Sequence, residues 1–175
     1  MSDQLGYHDI PSPPEKINAS SILVRMIDGL LFRYKWATED LHTKDLEFRP
    51  CESSMNMIEL LNHIVQLANM IESSFQGLAY SRIENIPELY MLRRVTIDKL
   101  ENSRKLLLAM SAEDLFQLRV QSTKYPKGYS FWHLINGPIA DALTHVGQIT
   151  SWRRINGNPV PKVNVFLGKG IKNKI

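Results

Sequence analysis

Four stretches of the chain place apolar residues every three or four positions, the spacing of one buried face on an α-helix. The first carries Leu23, Met26, Ile27, Leu30, Tyr34 and Ala37. Asn18, Ser20 and Ser21 stand before it, and each is a residue type that suits a helix N-cap. The second carries Leu60, His63, Ile64, Leu67 and Ile71, within a helix expected from about Ser54 to Phe75. The third begins near Pro87 and carries Leu89, Leu92, Thr96, Leu100, Ser103, Leu107 and Met110. The fourth holds Leu134, Pro138, Asp141, His145, Gln148 and Trp152, and ends at the terminators Gly157, Pro159 and Pro161. A helix with one apolar stripe must bury it against another element, and no segment alternates convincingly as a strand. The expected fold is therefore an all-α four-helix bundle.

Residues 1–17, with Pro11, Pro13 and Pro14, form a leader without a core of its own. The bundle covers residues 18–161, and a basic tail covers 162–175. The segment "QSTKYPKGYS" reads as a loop. "PKVNVFL" reads as a short strand or a clamp across the bundle. Pro138 either opens the last helix in its first turn or kinks it just before Asp141.

Charge and composition narrow the function classes. The net charge is +3, and Lys162, Lys169, Lys172 and Lys174 lie within the tail. A solvated tail accounts for this excess better than the clustered basic face of a nucleic-acid binder, so no nucleic-acid partner is expected. No apolar run approaches the roughly 20 residues of a membrane-spanning helix, so no membrane partner is expected. The first residues lack the basic-then-apolar pattern of a secretory signal, and the expected compartment is cytoplasmic. The single cysteine, Cys51, allows neither an internal disulfide nor a cysteine-based metal cluster. It has no basic sequence neighbour to lower its pKa. The serines lack a nucleophile elbow, and there is no phosphate loop or dinucleotide fingerprint.

What distinguishes the chain is polarity on faces that should be apolar. An unpaired buried polar group costs about 1–3 kcal/mol. Yet His63 lies between Leu60 and Leu67, and Asp141 and His145 share the stripe of Leu134 and Trp152. Asp141 and His145 are four positions apart, which puts both on one helix face. If the second and fourth helices meet, two imidazoles and a carboxylate converge. Such a set suits zinc or non-haem iron(II) and leaves coordination positions open for water or substrate. The same residues equally suit hydrogen bonds within a helical core. Glu59, one turn before His63, is a candidate base or supporting group, and Gln148 is a candidate to orient a ligand. His8 and His42 read as exposed, and His133 as a reserve ligand.

The pairing of "IELLNHIVQLANMI" with "DALTHVGQITSWRRINGNPVP" resembles the DinB/YfiT-like superfamily of metalloproteins. His63 matches that family's first ligand and His145 its last. Gly147 and Gln148 match its Gly-Gln signature, and Arg153, Arg154 and Gly157 match the arginine and closing glycine beyond it. The resemblance runs from about Ser20 to Pro161. It implies an up-down-down-up four-helix bundle, a homodimer, and a nickel or zinc ion held by three histidines. For some members it also implies thiol-dependent transferase or isomerase activity. This chain departs from the pattern at the central ligand, where Asp141 stands in place of histidine. The function expected is either a metal-dependent hydrolase or thiol transferase acting on a small molecule, or a metal-free bundle that binds small molecules or proteins.

Overall fold

A computed structural model of the protein describes residues 5–171, so Lys172 and Lys174 of the expected tail lie outside the described residues. Most of the structure is helical. The long helices are α1 (Ala19–Thr38), α3 (Met57–Phe75), α4 (Leu89–Ala109) and α7 (Ala140–Ile155). Shorter helices are α2 (Thr43–Leu46), α5 (Ala112–Gln117) and α6 (Phe131–Leu134). Helix α1 packs on α4 and α7, and α3 packs on the same two. Their apolar stripes, including Ile27, Leu30, Leu60, Ile64, Leu92, Leu100 and Ile149, form one core of fully buried side chains.

Local chemistry sets the helix starts. Asn18 caps α1, accepting from the Ser21 N–H at 2.8 Å, while the Ser21 hydroxyl accepts from the Asn18 N–H. Asn56 and Glu59 form the same reciprocal pair at α3, so that helix begins at Met57 rather than near Ser54. Asn-x-x-Glu offers the first-turn N–H groups their missing acceptors, and the chain turns helical there.

The segment expected as a loop is a hairpin. Strands β1 (Arg119–Ser122) and β2 (Tyr125–Ser130) pair antiparallel, so the fold is mainly rather than wholly helical. Pro126 and Gly128 hide the alternation. A two-stranded ribbon has only edges, where proline is tolerated. Gly128, at φ 67°, meets the β1 backbone so closely that a Cβ would lie 2.9 Å from the Val120 carbonyl oxygen.

Within the described residues, the segment before α1 meets the segment after α7. The Ile10 N–H donates to the Gly168 carbonyl at 2.8 Å, and Lys169 Nζ meets Asp9 at 2.9 Å. "PKVNVFL" contributes no regular strand; Asn164 and Lys169 close a small turn.

The buried Arg153 ties α7 to α1. Its Nη1 donates to the carbonyls of Ala37 (2.9 Å) and Glu39 (2.5 Å), and its Nε donates to the Asn158 carbonyl at 2.9 Å. The last carbonyls of a helix lack intrahelical partners, and a guanidinium supplies several donors in a fixed fork. Arg153→Met keeps the aliphatic stem but strips these carbonyls of their donors. We predict a loss of about 2–4 kcal/mol in unfolding free energy by urea denaturation, against a few tenths for Arg154→Met on the exposed side.

Candidate metal centre

His63, Asp141 and His145 meet where α3 packs on α7. On α3, His63 is flanked by the buried Leu60 and Ile64, and its own side chain is half-buried. On α7, Asp141 lies in the first turn and His145 one turn later. Burial deepens along the set: side-chain exposure is 44% for Asp141, 34% for His63 and 14% for His145.

The approach to α7 aims this turn. Between α6 and α7 the chain makes a π-helical turn, Ile135–Ile139, in which the Ala140 N–H donates to the Ile135 carbonyl. Pro138 has no N–H, and its ring excludes the carbonyl of the preceding turn, so a regular α-helix cannot run through it. Gly137 takes up the change at φ −87°, ψ −106°, outside helical values. Of the two expectations for Pro138, the kink is the one observed.

Three ligand-capable atoms, one from each side chain, lie within 4.8 Å of one another. Asp141 Oδ2 is 3.3 Å from His63 Nε2, and Oδ1 is 3.3 Å from His145 Nε2. The two rings stand edge to face, with centroids 4.7 Å apart. With metal–ligand bonds near 2.1 Å, neighbouring donors of a tetrahedral ion lie roughly 3.4 Å apart. The donor chemistry also fits a cation. His145 Nδ1 lies 2.7 Å from Gln148 Oε1; with that carbonyl oxygen accepting, Nδ1 would be the donor and Nε2 the nitrogen left free for a metal. That nitrogen lies 3.3 Å from Asp141 Oδ1, and a dication between the two would take both as ligands. In this arrangement Gln148 fixes which histidine nitrogen is available, as outer partners of metal-binding histidines commonly do.

The other candidates are placed elsewhere or occupied. Glu59 is exposed, and its Oε2 accepts from the Asn56 N–H at 2.8 Å and from Arg49 at 3.1 Å. That carboxylate is the α3 cap, although it also borders the cavity beside His63. His133 is exposed and pairs with Ser130 at 3.2 Å, away from the three donors. Cys51 is exposed; hydrogen bonds from Ser53 and Ser54 hold its thiol below the ordinary range, a cause invisible to a search for basic neighbours.

A cavity of about 480 Å³ opens beside His63. Its far wall is an irregular segment held by a ladder of carboxamides on α3. Asn62 exchanges two hydrogen bonds with the Ile86 backbone, Gln66 exchanges two with Ile83, and Asn69 donates to the Ser81 carbonyl. Tyr80, Arg82 and Asn85 face the cavity from that segment. Carboxamides are weak metal ligands, so a search for ligand spacing does not find them. Their signal is a polar row at 62, 66 and 69, running beside the apolar stripe at helical spacing.

Among the described residues, no helix is long and apolar enough to cross a membrane. No protein-family model matches the chain, and no curated protein matches it. Gln148→Leu removes the acceptor from His145 Nδ1 and lets the proton move to the nitrogen needed for a metal. Apparent zinc affinity, measured by chelator competition, is expected to fall roughly 10–100-fold, with the melting temperature little changed.

Proposed function

We propose that the protein is a DinB-like, divalent-metal-dependent enzyme acting on a small molecule, built on a four-helix bundle of up-down-down-up connectivity. The observation that carries the reading is the convergence of His63 with Asp141 and His145 from a second helix, 78 positions away from His63 in the case of Asp141. His63 and His145 would supply neutral nitrogen donors and Asp141 a carboxylate. This set suits zinc, nickel or iron(II). Bound there with open positions, such an ion lowers the pKa of a coordinated water or thiol or polarises a carbonyl.

The protein's own residues provide the rest. Gln148 keeps His145 in one tautomer. The carboxamide ladder keeps the cavity wall at a fixed distance from His63. Arg82, Asn85 and Tyr80 offer polar groups to a substrate, and Met55, Leu67 and Met70 line the same cavity with apolar surface. This mixture of apolar wall and few polar groups is typical of small-molecule sites. Hydrolysis and thiol transfer are the two reaction types it serves. Homodimerisation belongs to the same family-based reading.

A second reading has one observation in its favour. Asp141 Oδ2 and Oδ1 already lie within hydrogen-bonding reach, 3.3 Å, of His63 Nε2 and His145 Nε2, so the trio can close on itself without metal as a hydrogen-bonded, small-molecule-binding bundle. Metal content separates the two. Protein purified without chelator or nickel resin is expected to carry roughly one equivalent of a divalent ion, by plasma mass spectrometry. His63→Ala and Asp141→Ala should each lose it while keeping their helical circular dichroism. Absence of metal after reconstitution with nickel, zinc and iron(II) in turn would overturn the enzyme reading in favour of the second.

A further inference from the structure

The side of α7 opposite the candidate metal centre borders a larger cavity, about 760 Å³, between α1, α7 and the chain segment 160–165. By helical spacing, Leu143, Gly147, Thr150 and Arg154 lie across the axis from Asp141, His145 and Gln148. Four cationic side chains line this cavity: Arg25 and Arg33 from α1, Arg154 from α7, and Lys162 from the C-terminal segment. No acidic residue lines it. Among the described residues, none of the four pairs with a carboxylate; Arg25 donates to the Pro11 carbonyl and Arg33 to the Gly29 carbonyl. The walls between them are apolar, from Met26, Trp36, Leu143, Val146, Val160 and Val163.

Two glycines line the cavity. Gly29 on α1 and Gly147 on α7 both border the cavity in the middle of their helices. A mid-helix glycine is unfavourable relative to alanine because its backbone loses more freedom on folding. Packing does not explain Gly147, since a Cβ there would meet nothing within 4 Å. It lies two turns before Arg154 on the same side of α7, with open space where its Cβ would stand. Like charges collected around an apolar cavity repel one another, and an anion among them removes the repulsion. Guanidinium groups suit carboxylate and phosphate heads, which they bind through paired hydrogen bonds.

We propose that this cavity binds an amphipathic anion: a carboxylate or phosphate head held by Arg25, Arg33, Arg154 and Lys162, with an apolar chain lying over Gly147 and against Val146 and Trp36. The site is independent of the metal reading, because it uses the other side of α7 and none of His63, Asp141 or His145.

Isothermal titration calorimetry with decanoate, decyl phosphate and decanol, each below its micelle concentration, tests the proposal on the full chain. At least one of the two anions is expected to bind one per chain, and decanol at least tenfold more weakly. The ratio of the two anions identifies the preferred head group. The double variant Arg154→Glu, Lys162→Glu is expected to weaken anion binding at least tenfold. Gly147→Leu, which fills the open space, is expected to abolish it without lowering the melting temperature. Should Gly147→Leu fail to fold, the surface double variant carries the test alone. Equal binding of decanol, undiminished binding in the double variant, or no binding of either anion would overturn the proposal.

Discussion

The buried guanidinium of Arg153 is the constraint on which the placement of α7 depends. A charge withdrawn from water is tolerated only when its donors are paired. Here the partners are the carbonyls that close α1 and the residue Asn158 beyond the end of α7. The charge therefore determines where α7 ends and how that end sits against α1. Asp45 reinforces the junction by accepting from the side chains of Asn156 and Asn158 at 2.7 Å each. Burial opposes the ionised form of Asp45, but these donors and the His42 N–H outweigh it and hold the carboxyl below its ordinary range.

The other end of α7 is set by a different device. The π-helical turn at Gly137 and Pro138 redirects the chain just before Asp141. With its far end tied by Arg153 and its near end re-aimed by the turn, α7 presents Asp141 and His145 level with His63. The candidate metal centre thus rests on rigid helices rather than loops, and both of its neighbouring supports are hydrogen-bonded: Gln148 on one ring, the carboxamide ladder beside the other. The opposite side of the same helix opens, through Gly147, onto the cationic cavity. One helix accordingly serves two surfaces of contrasting charge, an acid and two imidazoles on one and an arginine with its basic neighbours on the other.

How much of this is legible in the chain depends on the range of each interaction. The helical stripes are local, so α1, α3, α4 and α7 emerge from periodicity, and His63, Asp141 and His145 stand out as polar residues on apolar faces. The boundary of α3 is also local, but it is legible only when Asn56 and Glu59 are paired as a cap, a role that competes with any chemistry for Glu59. The hairpin is hidden because Pro126 and Gly128 break its alternation, and only contact with β1 explains the glycine. Arg153 stands out in sequence only as part of the motif after Gly147 and Gln148; its burial depends on carbonyls more than a hundred positions earlier. The contact between Asp9–Ile10 and Gly168–Gly170 joins segments about 160 positions apart, a separation no local pattern spans.

The central claim is that α3 and α7 together bring His63, Asp141 and His145 around one divalent ion. Anomalous diffraction from crystals of the zinc-loaded protein tests it most directly. The account predicts one anomalous peak per chain within bonding distance, roughly 2.0–2.2 Å, of a nitrogen from each histidine and an oxygen of Asp141. A peak elsewhere on the protein, or no peak between these side chains in fully loaded crystals, would contradict it.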